Sequence, residues 1–287
     1  MLTRAATSCV VLCGLAGLSW AQGTVVNHTN CDGNALTPGV SAQIGQTTSF
    51  FAHASVGGNV TSGLGHLHSR DPNRYPLHTA SDDGVPPSST VAGTFYEYQR
   101  GNPGWQSKIN LFETYMAQGW GDSNSVTIAS NKFCYVDEDA SWTVFRDSMV
   151  ALEANYPTVS LIYWTIPLMN TENADNRLRN DFNKSLRDWM ALPAQTGKIL
   201  FDIADIEAWD PNGVQSTFTY NSVTYQKMYN GYTSDGGHLN TAGSDLVAMG
   251  LYVAYGAAVP EPASGAMVLA GLAVLLRRRR GAGRARI

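Results

Sequence analysis

Between residues 49 and 255, short apolar runs alternate with stretches whose apolar positions recur at helical spacing. Residues 49–54 form the first run, which breaks into Gly57-Gly58 just after Ser55. That is the pattern of a strand turning sharply into a helix. The helix is expected over 59–68, followed by a polar, proline-bearing loop over 69–89 and a short second strand at 94–98. After Pro103, the residues Ile109, Phe112 and Met116 share one helical face. Residues 126–136 hold a third strand, and Trp142, Phe145, Met149 and Leu152 mark a helix ending near Pro157. A fourth strand covers 159–166 and stops at Pro167. Leu178, Phe182, Leu186 and Trp189 mark the next helix, 199–203 a fifth strand, and 241–255 a last helix that is apolar nearly all round. Such alternation predicts an α/β fold, a three-layer α/β/α sandwich with a parallel sheet of about five strands. Residues 205–231, rich in Tyr, Ser, Thr and Asn, read as an irregular insertion.

The two ends depart from this pattern. Residues 1–21 carry Arg4, an apolar run over 9–18 and then Ser19-Trp20-Ala21, the layout of a secretory signal peptide cut before Gln22. Residues 22–46 read as an N-terminal extension and 47–258 as the folded domain. In 259–287, Val259-Pro260-Glu261-Pro262 precedes a fourteen-residue apolar run and then Arg277 to Arg280. That run is short of the ~20 residues that span a bilayer, and the arginines would stay on the cytoplasmic side. A plain tail anchor is the alternative.

Charge and cysteine usage narrow the function classes. Removing Arg4 and the six arginines from 277 onward leaves 12 basic against 23 acidic residues, near −11. Such a body repels nucleic acid and anionic membranes, and disfavours a strongly polyanionic substrate. Cys9 and Cys13 fall in the leader, leaving Cys31 and Cys134. An oxidising compartment permits a bridge between those two; a buried free thiol is the other reading of Cys134.

Candidate chemistry gathers at two turns. Ser55, at the carboxyl end of a strand, lies where open α/β sheets bind ligands, and the following helix start favours an anion. Alternatively it only caps that helix. Downstream, Ser234-Asp235-Gly236-Gly237-His238-Leu239-Asn240 sets an acid three residues before a histidine, just ahead of the last helix. That spacing lets Asp235 hold one imidazole nitrogen and leave the other free as a base. The alternative is a loop in which Asn240 or Thr241 caps the last helix.

The order Ser55 … Asp235-x-x-His238 resembles the SGNH (GDSL-type) hydrolase superfamily over roughly residues 47–255, with His53-Ala54-Ser55-Val56-Gly57 replacing the usual G-D-S. The resemblance implies a flavodoxin-like sheet, with Ser55 as nucleophile, His238 as general base and Asp235 as its orienter. It places oxyanion donors at the Ser55 N–H and at Gly101, with the Asn102 side chain as a third. The family's asparagine block ends the third strand; here Tyr135-Val136-Asp137-Glu138-Asp139 occupies that place. A carboxylate cannot donate unless protonated, so either Asn102 substitutes or the third donor is missing. Those acids also precede the Trp142 helix, whose N-terminus favours negative charge.

Other polar residues have bland readings beside functional ones. His53 points to the same side as Ser55 if the strand continues, as a tuning group or a satisfied buried histidine. His66, His68 and His78 lack a completing carboxylate or cysteine at useful spacing, so no metal and no cofactor is expected. Tyr220, Tyr225, Tyr229 and Tyr232 either stack on sugar faces or pack their loop against the body. The C-terminal segment resembles a PEP-CTERM sorting signal, which implies removal by a membrane exosortase after signal peptidase has acted. It also implies transient membrane contact and delivery to the surface or extracellular matrix of a Gram-negative bacterium. The expected function is an exported serine esterase acting on a small-molecule or carbohydrate ester. The alternatives are a carbohydrate O-acyltransferase with the same triad, or a non-catalytic surface protein that retains the fold.

Overall fold

The computed structural model describes residues 23–122 and 125–259. The expected leader, and the tail segment from Pro260 onward, lie outside the described residues. Seven strands form one sheet: β1 (Thr24–Val26), β2 (Thr48–His53), β3 (His78–Ser81), β4 (Thr94–Gln99), β5 (Ile128–Asn131), β6 (Ser160–Trp164) and β7 (Ile199–Phe201). Their order is β1-β7-β6-β5-β2-β4-β3, and every neighbouring pair is parallel. The chain leaves β2 toward β3 and β4, then returns to the other flank of β2 at β5. That reversal makes the carboxyl end of β2 the switch point of the sheet, where such sheets bind ligands.

Among the described residues, seven α-helices accompany the sheet: α1 (Pro38–Ile44), α2 (Val56–Arg70), α3 (Trp105–Tyr115), α4 (Trp142–Asn155), α5 (Ala174–Met190), α6 (Ile203–Ala208) and α7 (Thr241–Ala258). One core packs Val60 and Leu64 of α2 and Val247 and Leu251 of α7 against Phe51, Trp164 and Phe201. The other packs Ile109, Phe112, Phe145, Met149, Phe182 and Leu186 against Phe50, Leu161 and Leu200. The result is the expected α/β/α sandwich. Alternation along β2 sends Phe51 and His53 to the α2–α7 side, where their rings stack at 4.7 Å. On the opposite side Phe50 stacks on Trp120 at 4.4 Å.

The sheet exceeds the expected strand count because β1 and β3 are short edge strands. His78-Thr79-Ala80-Ser81 lacks apolar alternation, so its strand state comes from pairing with β4. Residues 24–26 pair with β7, which ties the N-terminal extension to the sheet. The third strand ends at Asn131, before the expected 136, and a loop carries the chain from there to α4. The insertion contains a hairpin, β8 (Thr217–Tyr220) and β9 (Val223–Gln226). Its turn residues Asn221 and Ser222 take φ of 48° and 64°, the left-handed pair a two-residue hairpin requires. Of its tyrosines, Tyr232 is buried and Tyr229 packs on it at 5.1 Å. Cys31 and Cys134 are both buried free thiols, so the bridge considered from the sequence is not formed. Cys31 lies under Gly250 of α7, whereas Cys134 lies in the loop after β5.

Helices α2 and α7 approach until their backbones meet. A methyl group at Gly63 would sit 2.2 Å from the Ser244 carbonyl oxygen. Helix propensity alone makes Gly→Ala stabilising by about 1 kcal/mol. Gly63→Ala is therefore expected to destabilise the chain by roughly 1–3 kcal/mol through overpacking. Thermal unfolding checks it, and an unchanged or higher midpoint would contradict so close a crossing.

Candidate functional site

The site begins with a strained turn. Ser55 follows β2 with φ 52° and ψ −110°, a conformation an L residue adopts only at a cost of about 1–3 kcal/mol. Its side chain makes no capping bond to α2, so the simple-cap reading does not describe it. The turn is also tight: a methyl group at Gly57 would lie 2.4 Å from His53 Nδ1. Only glycine lets the first turn of α2 sit directly above the end of β2.

The Ser55 hydroxyl points at the downstream turn. Ser55 Oγ lies 2.6 Å from His238 Nε2, and His238 Nδ1 lies 2.6 Å from Asp235 Oδ2. A ring nitrogen facing a carboxylate carries the proton, so Nε2 is left to accept from the serine. Asp235 also accepts from the backbone N–H groups of Gly237 at 3.0 Å and His238 at 2.8 Å. The Gly237 N–H, then the His238 ring, hold its carboxyl well below the usual carboxylate range. The Asp235-Gly-Gly-His238 turn is docked in place. Asn59 Oδ1 accepts from the Leu239 N–H at 3.2 Å, and the Asn170 N–H donates to the Gly236 carbonyl at 3.0 Å. Asn240 caps α7 through the Gly243 N–H at 3.1 Å, so the cap and the triad geometry coexist.

The expected oxyanion residues lie on the same rim. Gly101 follows β4 with φ 78° and open space beside it. The Asn102 side-chain oxygen accepts from Lys108 Nζ at 2.8 Å, which leaves its amide N–H bonds to face elsewhere. The acidic block behaves differently from the sequence reading. Asp137 is buried, bonds to Lys108 and accepts from the Cys134 N–H at 2.7 Å. It is a buried ion-pair partner joining helix α3 to the loop after β5 rather than a charge serving the α4 N-terminus. That end of α4 is capped by Ser141, and Glu138 faces Arg179 at 3.6 Å. Beside the braced Asp137, the Tyr135 hydroxyl lies 3.5 Å from His238 Nε2.

A buried charge cluster underlies this loop. Lys132 is fully buried and donates to the Phe133 carbonyl at 2.8 Å; burial pulls its ammonium down to about 8, against Cys134 and Glu207. Burial pushes Glu207 up to about 8, while the Leu168 N–H, 2.9 Å from its carboxylate, opposes the shift. Arg100, held at the Lys132 carbonyl at 2.9 Å, is brought down to about 10 by burial. Burial disfavours ionisation of Cys134 most strongly, but Lys132, Lys108 and the Val136 N–H together offset it and keep the thiol below its ordinary value.

The remaining histidines stand apart. His53 is buried under the turn and its Nε2 bonds Glu97 at 2.5 Å, while its Nδ1 is buried without a partner, so it is the buried histidine of the sequence reading but only half satisfied. His66 meets Asp245 at 3.0 Å, and His68 bonds the Tyr75 carbonyl at 2.7 Å with His78 against its ring. Sequence reasoning found Ser55, Asp235 and His238 from glycine-marked turns. It passed over Tyr135 and Cys134, whose only signal was an aromatic and a thiol beside an unexplained acidic block.

No family model matches the chain, and no curated protein matches it. Among solved structures it is similar to a GDSL-like lipase from Bacteroides thetaiotaomicron, at 11% identity over 79% of this chain and 95% of that one, with a TM-score of 0.42. It is also similar to the periplasmic domain of a lipopolysaccharide acetyltransferase from Salmonella ser. Paratyphi A, at 12% identity over 71% and 81%, with a TM-score of 0.40. Likenesses at this level carry no weight for activity, and the geometry of the site stands by itself.

The strain at Ser55 is measurable. Ser55→Gly should be more stable than Ser55→Ala by on the order of 1 kcal/mol, because glycine accepts the positive φ and alanine does not. Chemical denaturation of the two variants compares them. An alanine variant as stable as the glycine variant would show that the turn is relaxed.

Proposed function

We propose that this chain is a serine esterase of SGNH type that cleaves acyl esters through Ser55, His238 and Asp235. The observation that carries the reading is the continuous relay from Asp235 Oδ2 through the imidazole to Ser55 Oγ, with both links at 2.6 Å. It starts from a serine held at φ 52°, and a serine serving only as a helix cap has no need of such a backbone.

The chemistry follows from the geometry. Ser55 Oγ attacks the ester carbonyl while His238 Nε2 takes its proton. Asp235 keeps the proton of Nδ1 in place and stabilises the imidazolium. The negative oxygen of the tetrahedral intermediate is met by the Ser55 and Gly101 N–H groups and the Asn102 amide. His238 returns the proton to the leaving oxygen, and the alcohol departs. Water then attacks the acyl carbon while His238 Nε2 takes its proton, and that proton passes to Ser55 Oγ as the acyl–serine bond breaks and the acid leaves. The substrate proposed is an acyl group on an extracellular carbohydrate. That choice rests on the sorting-signal resemblance of the C-terminal segment and on the acidic body, which disfavours a polyanion.

Export belongs to the same proposal. A signal peptidase would cut before Gln22, and an exosortase would remove the segment that follows Val259 after a transient membrane stage. Intact-mass measurement of the protein from its own host is expected to show a chain lacking Arg277 to Arg280. A surface protein that keeps those arginines would replace the sorting reading with a tail anchor.

Kinetics on a chromogenic acyl ester test the triad. Ser55→Ala and His238→Ala should each lower kcat by roughly 10³-fold or more, and the double variant should be little worse than either. Asp235→Asn should cost less, since the base remains while its tautomer and charge stabilisation suffer. Product analysis with and without an acceptor sugar separates hydrolysis from acyl transfer. A Ser55→Ala protein with unchanged kinetics would remove the serine from the chemistry.

A further inference from the structure

The Tyr135 hydroxyl lies 3.5 Å from His238 Nε2, the same nitrogen that Ser55 Oγ meets at 2.6 Å. Its ring stands edge-on to the imidazole, centroids 5.5 Å apart at 79°. The residue is fixed from several sides. Arg179 Nε donates to its carbonyl oxygen at 2.5 Å, and Arg179 itself is buried. Two positions on, Asp137 is locked by Lys108 and the Cys134 N–H. Across the site the ring rests against Gly237, where a methyl group would approach it to 2.9 Å. A side chain held by its own backbone, by a buried ion pair and by the catalytic turn has little freedom to swing away.

The place it occupies is chemically defined. When the tetrahedral intermediate collapses, the leaving oxygen must take its proton from His238 Nε2. It must therefore lie about 3 Å from that nitrogen while bonded to the carbon that Ser55 Oγ has attacked. A phenol 3.5 Å from Nε2 stands beside that oxygen. Burial pushes the Tyr135 hydroxyl above its ordinary value, so at neutral pH it is a proton donor.

We propose that Tyr135 is a further catalytic residue, donating a hydrogen bond to the leaving oxygen as the acyl–oxygen bond breaks and to the incoming oxygen in the second half-reaction. The inference rests on the serine-esterase reading. The bonds balance without an added reagent. The acyl carbon gains a bond to Ser55 Oγ and loses its bond to the leaving oxygen. The serine proton passes through His238 to that oxygen, and Tyr135 keeps its own proton throughout. A donor at this oxygen matters most when the departing alkoxide is a strong base and least when it is already stable.

The test is Tyr135→Phe measured on two acetyl esters that share the acyl group, 4-nitrophenyl acetate and an acetylated methyl glycoside. The variant is expected to hold kcat/KM on the nitrophenyl ester within about 3-fold and to lose roughly 10–100-fold on the glycoside, the worth of one hydrogen bond to a charged oxygen. The ratio of the two rates does not depend on how much of the variant is folded. Equal losses on both esters, or no loss on either, would overturn the role of Tyr135 and leave the serine reading standing. A wild-type chain that turns over neither ester would overturn both.

Discussion

The close approach of helix α2 to the end of strand β2 is the constraint on which the rest of the site depends. The helix begins almost immediately after the strand, so Ser55 must take φ 52° and Gly57 must do without a side chain against His53. A longer connection would relax the serine, but it would also withdraw the hydroxyl from the switch point where the sheet order reverses. The strain is sustained by what lies below. Phe51, Phe95 and Trp164 fill the sheet face beneath the turn, and His53 is pinned to Glu97. Above it, α2 and α7 are pressed together at Gly63, which fixes the height at which the Asp235-x-x-His238 turn arrives.

A second layer of control comes from buried charge. Lys108 and Asp137 are both almost wholly buried and join helix α3 to the loop after β5. Breaking such a pair by removing one partner typically costs about 3–5 kcal/mol, since the other charge is left without compensation. Its evident use here is positional: it places Asn102 on one side of the site and Cys134 with Tyr135 on the other. Lys132 and Glu207 continue the cluster inward, each shifted by burial toward its neutral form.

The sheet, its helices and the Ser55, Asp235 and His238 turns were legible in the sequence because each is written locally. Apolar runs, helical stripes and glycines at sharp turns need no knowledge of the partner strand. The edge strands at 24–26 and 78–81 were not legible, because segments of three or four residues become strands only through the neighbour they pair with. The hairpin at 217–226 had a readable signal in its alternation and its Asn221-Ser222 turn. The partners of Asp137 and Tyr135 were hidden for a different reason. Lys108 stands 29 residues from Asp137, and Tyr135 stands 103 from His238. Spacing along the chain carries no trace of contacts that the sheet order alone creates.

The central claim is that Ser55 is a nucleophile activated by His238 within this fold. Treating the folded protein with a fluorophosphonate and mapping the adduct by peptide mass spectrometry tests it most directly. The account predicts one phosphonyl group per chain, carried on Ser55, and its loss when His238 is replaced by alanine. An unreacted chain, or an adduct on any other residue, would contradict it.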